Sequence, residues 1–210
     1  MTAQGRHEQE IPRVSMTDEE IEAANLETAP RLNSGIKLME YTPEWAAVFE
    51  EEAARMSDKL GAMPHRVEHT GSTSVPGLPA KPIIDILLIV PDSADESAYL
   101  PALESIGYTL AIREPDWYEH RVLRKPSLAP SAESANLHVL STGCPEIDRM
   151  LLFRDWLRAN TGDRNLYART KRDLAQRTWT YMQHYADAKS EVIAGILKRA
   201  GQGTRAHHEN

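Results

Sequence analysis

The chain has 210 residues, 41% hydrophobic and 26% charged, with 31 acidic against 24 basic side chains and a formal charge of -7. That length suits one compact domain or a domain with a helical annex, and the acidic balance argues against bulk nucleic-acid or anionic-membrane binding, though not against a small anion held by local lysines and arginines. The single cysteine, Cys144, excludes an intrachain disulfide and a multi-cysteine zinc cage, and no apolar run is long enough to span a bilayer.

The opening "MTAQGRHEQE" lacks an apolar secretory core, so a cytoplasmic setting is expected. Residues 1–34 are polar and read as a partly ordered N-terminal arm, with "TDEEIEAAN" as a short helix capped at Thr17. "IKLMEY" (36–41) reads as a strand. "TPEWAAVFEEEAARMSDKLG" predicts a helix with Thr42 as N-cap and Pro43 in its first position. Its Trp45, Val48, Phe49, Met56 and Leu60 share one face, and Gly61 ends it. "RVEH" is a short strand, and "KPIIDILLIV" is apolar on both faces and therefore central in a sheet.

A helix is expected near 94–106, then strands in "YTLAIR", "HRVLRK" and "NLHVL", with "EPDWY" and "PSLAPSAES" as loops. From Pro145 the pattern is helical, at about 145–159, 164–183 and 186–200, followed by a frayed tail, 201–210. The expected organisation is an arm (1–34), an αβ core (35–144) and a C-terminal helical part (145–200).

Two features of "VEHTGSTSVPGLPAKPIIDILLIV" (67–90) point to chemistry. Gly71 followed by Ser72, Thr73 and Ser74 suits phosphate binding, because glycine lets the backbone approach and the hydroxyls donate. A tight turn whose hydroxyls satisfy local backbone groups is the bland alternative. Asp85 is harder to dismiss. A carboxylate in a buried strand is costly unless paired, hydrogen-bonded or metal-bound, and alternation puts it on the face of Ile83, Leu87 and Ile89. A two-metal phosphoryl-transfer strand would carry a second acid at position 87, where this chain has leucine.

Six blocks carry a family resemblance in the right order: "Y-x-P-x-W" (41–45), the 68–90 segment, "LHV" (137–139), "FRDWLR" (153–158), "Y-A-x-x-K" (167–171) and "YADAKSEVI" (185–193). Together they resemble the GrpB-like family of the nucleotidyltransferase superfamily. The resemblance implies an α+β, polymerase-β-like fold: a mixed sheet, flanking helices and a helical C-terminal part. It also implies a G-S turn followed by Asp-x-Asp or Asp-x-Glu. Here twelve residues separate Ser72 from Asp85, and Leu87 replaces the second acid. His138 stands where the superfamily has a third carboxylate. Family relatives fused to dephospho-coenzyme A kinases imply a stabilising partner rather than a catalyst.

The expected site follows. Asp85, Glu68 and His138 are the candidate catalytic groups, and Asp85 with His69 would hold one Mg²⁺ or Mn²⁺. Phosphate would contact Gly71, Ser72, Thr73 and Lys81, and the basic strand residues Arg121 and Lys125. Tyr167 and Lys171, like Tyr185 and Lys189, are four residues apart and fall on one helical face, so Lys171 or Lys189 would neutralise a triphosphate, as the resemblance implies. A solvated face is the alternative for each pair, and a structural network is the alternative for the histidines. Trp117 reads as a loop anchor or a base-stacking ring, Arg154 as an anion contact or a helix-to-sheet tie, and Cys144 as non-catalytic. The expected function is a nucleotidyltransferase-like protein that binds a nucleoside triphosphate or other phosphorylated small molecule. The alternative is a non-catalytic anion- or partner-binding domain that assists folding or assembly.

Overall fold

The computed structural model describes residues 15–29 and 31–208. In chain order its elements begin with α1 (Asp18–Ala24), β1 (Arg31–Ser34), α2 (Glu44–Leu60), β2 (Arg66–Thr70), β3 (Ile83–Val90), α3 (Glu96–Glu104) and β4 (Thr109–Glu114). They continue with β5 (His120–Ala129), β6 (Ala132–Ser141), α4 (Pro145–Ala159), α5 (Thr161–Ala175), β7 (Trp179–Tyr181), α6 (Met182–Asp187) and α7 (Ser190–His208). The main sheet has the order β2-β3-β6-β5-β4, with β3 parallel to β6 and the other pairings antiparallel. A mixed sheet with flanking helices and a helical C-terminal part is the α+β class expected.

The alternation of β3 divides the molecule. Ile84, Ile86, Leu88 and Val90 point to one face and pack against Trp45, Phe49, Met56 and Leu60 of α2 and Tyr99 and Leu103 of α3. The α2 residues recur at helical spacing, and Gly61 closes the helix at φ 56° by donating its N–H to the Ser57 carbonyl. On the other face Leu87 and Ile89 meet Leu140, Cys144 and Ile147, where α4 begins. The C-terminal helices then close over the 75–78 turn, with Val75 and Leu78 against Leu157, Tyr167, Ala168 and Ile196. Asp85 is on this second face.

Several boundaries differ from the sequence reading, each for a local reason. Residues 36–41 contain only an isolated bridge, Met39 to Ala80, because Ile36 turns into the cluster with Leu174 and Tyr185. The leading strand is instead β1, paired antiparallel with β7. The long C-terminal helix stops at Ala175 because "TWTY" (178–181), aromatic and β-branched, prefers the extended partner that β1 offers. The last expected helix is two, α6 and α7, and α7 runs through residues read as tail. β5 and β6 extend as a hairpin into "PSLAPSAES", with a register shift between Pro126 and Ala129. The helix cap expected at Thr17 forms, as a capping box in which Glu20 reaches back to the Thr17 N–H at 2.8 Å. Residues 1–14 of the expected arm lie outside the described residues. No helix among the described residues is long and apolar enough to cross a membrane.

Candidate functional site

A cavity of about 810 Å³ opens between the sheet and the C-terminal helices. Its inner end starts at the turn after β2. Gly71 adopts φ 65°, and a Cβ there would lie 2.2 Å from Asp85 Oδ2, so only glycine lets the carboxyl group tuck beneath the turn. Asp85 Oδ1 accepts the Asn136 Nδ2–H at 3.1 Å from β6. Burial pushes the Asp85 carboxyl above its usual range, and Lys81, Asn136, Lys189 and Lys171 pull it back.

Three lysines gather around that carboxylate. Lys171 of α5 is 2% exposed and donates to the Pro79 carbonyl. Lys81, from the loop before β3, reaches the Met182 thioether at 2.7 Å. Lys189, in the break between α6 and α7, lies over the Tyr185 ring at 4.4 Å from its centroid. Burial lowers the pKa of all three ammoniums; Lys171 falls well below the usual lysine value and Lys189 to about 8. Arg124 of β5 lines the same cavity and is also depressed by burial. The Tyr185 hydroxyl, in a residue 1% exposed, is the buried side-chain atom without a hydrogen-bond partner among the described residues.

The outer end rests on β4, β5 and β6. Glu114 Oε2 is 2.7 Å from His120 Nδ1, and His120 Nε2 is 3.0 Å from His138 Nδ1. An ionised carboxylate only accepts, so with Glu114 ionised His120 donates from Nδ1 and accepts at Nε2. His138 must then donate from Nδ1 and carry its lone pair on Nε2. His138 and Trp117 both line the cavity.

The other expected site residues divide by face. Ser72 lines the cavity and hydrogen-bonds with the Tyr167 phenol. Thr73 also borders it, but its hydroxyl is used locally, bonding His69 Nε2 at 3.1 Å and donating to the Ile83 carbonyl at 3.3 Å. Ser74 donates to the Gly71 carbonyl at 2.7 Å. For these two the tight-turn reading holds.

Four expectations are corrected. His69 pairs in register with Ile86, so it faces α2, stacks on Phe49 and cannot join Asp85 in holding a metal. Burial, with Arg158 and Arg154 nearby, lowers its pKa to about 3 and keeps it neutral. Glu68 is on the Asp85 side but is held by Arg154 at 2.7 Å, the helix-to-sheet tie. Arg121 and Lys125 lie on the opposite face: Arg121 grips Glu96 at 2.6 Å and Lys125 grips Glu52 at 2.9 Å. The cavity-facing residues of β5 are His120, Val122 and Arg124. Tyr185 and Lys189 meet, but across a helix break rather than along one helix.

Comparison with known proteins now settles the family: the family model described as "GrpB protein" matches residues 35–199. The chain belongs to the GrpB family. It is similar to UPF0157 protein BH1888 of Halalkalibacterium halodurans, with 57% identity over 88% of this chain and 92% of that protein. A crystal structure of the conserved protein GrpB from Enterococcus faecalis matches at a TM-score of 0.68 and 36% identity, covering 80% of this chain and 99% of that one. A dephospho-CoA kinase of Mycobacterium leprae is 32% identical over 85% of this chain, and the match takes up 49% of that protein.

The divalent metal implied for this GrpB chain does not fit the residues present. Mg²⁺ and Mn²⁺ require several oxygen ligands. Leu87 is fully buried among apolar side chains, Glu68 belongs to Arg154, and His69 faces away. Among the described residues no group of three His, Cys, Asp or Glu side chains gathers to hold a metal ion.

Proposed function

We propose that the chain binds the phosphate end of a nucleotide, or of another phosphorylated small molecule, and is nucleotidyltransferase-like in where it does so. One observation carries the reading: Lys81, Lys171, Lys189 and Arg124 crowd around Asp85, with Asp187 also acting on Lys189, in a cavity roomy enough for a small organic ligand. Buried cations in excess of their counter-charge are costly until an anion arrives. Phosphate oxygens would sit against the lysines and Arg124, with Ser72 at the edge. The organic body would extend across Asn136 and Val122 toward Trp117. In a transfer, an acceptor oxygen would attack the α-phosphorus and the bond to pyrophosphate would break. Pyrophosphate would leave against the lysines, and His138, on the same cavity wall, would take the acceptor's proton.

A second reading has its own support. Leu87 occupies the second acidic position, and a half-length match to a dephospho-CoA kinase is what a non-catalytic ligand- or partner-binding domain would give. Calorimetric titration with ATP, GTP, CTP and UTP tests the first reading. Binding should weaken at least roughly tenfold in Lys189→Met. The absence of binding to all four by folded protein would leave the second reading. Incubation with nucleotide labelled at the α-phosphate then separates a transferase from a binder.

A further inference from the structure

The cavity's charge pattern has a sharper consequence, which rests on the phosphate reading above. Asp85 commits Oδ1 to Asn136 at 3.1 Å and packs Oδ2 over Gly71, where even a methyl group would collide. A metal at this carboxylate would also enter the combined field of Lys81, Lys171, Lys189 and Arg124. Two more positive charges there are opposed by four cations and attracted by Asp85 and, beyond Lys189, by Asp187.

The four cations share a further property. Lys171 donates to a carbonyl, Lys81 to a thioether, and Lys189 rests on a phenol ring. The Arg124 guanidinium has no hydrogen bond or ion pair among the described residues, and none of the four forms an ion pair with a carboxylate there. Neutral acceptors hold them in place without satisfying their charge. Tyr185 adds an unpaired hydroxyl at the same point, reached by Lys189 and, at 5.9 Å from its ring centroid, by Lys81. Lys81 and Lys189 converge on one ring, with their ammoniums 5.9 and 4.4 Å from the Tyr185 centroid, and Lys171 and Arg124 line the same cavity. Such a spacing fits adjacent phosphoryl groups better than one isolated carboxylate.

We propose that this site binds a pyrophosphate moiety directly, without a divalent cation, the lysines, Arg124 and the Tyr185 hydroxyl doing the neutralising that Mg²⁺ does elsewhere. The ligand is the uncomplexed polyphosphate end of a nucleotide or an inorganic polyphosphate. Asp85 serves the lysines: its charge favours their protonated form in the empty cavity.

The full-length chain would be titrated calorimetrically at pH 6.5 with sodium pyrophosphate and with ATP, first in EDTA and then in excess Mg²⁺. Both ligands are expected to bind in EDTA, and Mg²⁺ should weaken binding about tenfold by removing ligand charge. ATP binding much more tightly than pyrophosphate assigns a nucleotide; equal affinities assign inorganic polyphosphate, and both outcomes support a metal-free site. Binding that requires Mg²⁺ overturns the inference and leaves the phosphate reading intact. No binding under any condition removes both.

Asp85→Asn separates the two roles by sign. It keeps the acceptor for Asn136 and the volume over Gly71 while deleting a charge that repels the ligand. Once bound, the polyphosphate itself keeps the lysines protonated in place of Asp85, so metal-free binding at pH 6.5 should tighten severalfold, about tenfold at most; a metal-holding role predicts loss of binding. Lys189→Met guards against misfolding of that variant: if the site is right it stays folded by circular dichroism and loses at least tenfold in EDTA. Unchanged metal-free affinity in this variant counts against the proposal.

Discussion

The two faces of the main sheet treat charge in opposite ways. Toward α2 and α3, every prominent cation is closed by a carboxylate. Lys125 meets both oxygens of Glu52, at 2.9 and 3.0 Å, and Glu52 also takes the Tyr108 hydroxyl at 3.1 Å. Arg113 and Arg121 share Glu96, each at 2.6 Å, which holds that carboxyl down to about 2. In the cavity toward the C-terminal helices, Lys81, Lys171 and Lys189 rest on neutral groups around Asp85, and Arg124 lines the same wall. Both faces bury charge, and the Arg154–Glu68 tie on the second is closed too, but the four cations of the cavity are left without an ion pair. A closed network fixes architecture, and an open one is stored affinity for an anion.

The largest effect expected from breaking this contrast is on the closed side. Glu52→Ala leaves Lys125 buried without its partner and should cost about 3–5 kcal/mol in urea unfolding. Lys189→Met removes a cation that forms no direct ion pair among the described residues. It should leave stability unchanged or raise it by about 1 kcal/mol, while anion binding suffers. Equal losses in the two variants would erase the distinction between the faces.

Gly71→Ala should follow in size. The substitution imposes a positive φ on alanine and drives its methyl group into the Asp85 carboxyl, for a combined cost of about 2–3 kcal/mol. If the collision is the cause, Asp85→Gly in the same chain should recover part of it, so the double variant loses less than the sum of the singles.

His69, pinned between Phe49 and Thr73 on the closed face, sets a pH window. Its folded pKa, about 3, lies below the ordinary 6.5, so the unfolded chain binds the extra proton between those values. Stability is therefore full above pH 6.5 and falls as pH drops toward 3, by roughly tenfold or more in the folding equilibrium. His69→Phe keeps the ring stack and removes the titration, so its stability should be flatter across that window. An unchanged acid limb would mean that other groups set it.

How far the sequence could be read follows from the same contrast. Asp85 and its face were legible, because a single carboxylate in an apolar run of strand length has only one parity to take. The Gly71–Ser72 turn was legible for the same physical reason that makes it work, since a residue without a side chain must precede a buried acid. The β5 residues were not. In "HRVLRK" both Val122 and Leu123 are apolar, so alternation gives no parity, and Arg121 and Lys125 were assigned to the cavity in place of Arg124. Only the pairing of Val122 with His138 and Arg124 with Asn136 decides it. The break before Lys189 was hidden because helical spacing of Tyr185 and Lys189 reads the same whether or not the helix is continuous.

The smallest effect concerns protons rather than stability and lies at the cavity's outer end, where the open face also holds a chain of side chains. Glu114 and His120 pair in register across β4 and β5, and His120 passes the constraint to His138. If the chain of donors runs in that direction, imidazole ¹⁵N shifts at neutral pH should show His138 protonated on Nδ1, the less common neutral form in solution. Glu114→Gln makes the order reversible, because an amide can donate as well as accept. His138 should then relax toward the Nε2-protonated form without loss of fold. A His138 already protonated on Nε2 in the unaltered chain would reverse the donor order, and with it the assignment of the His138 lone pair to Nε2.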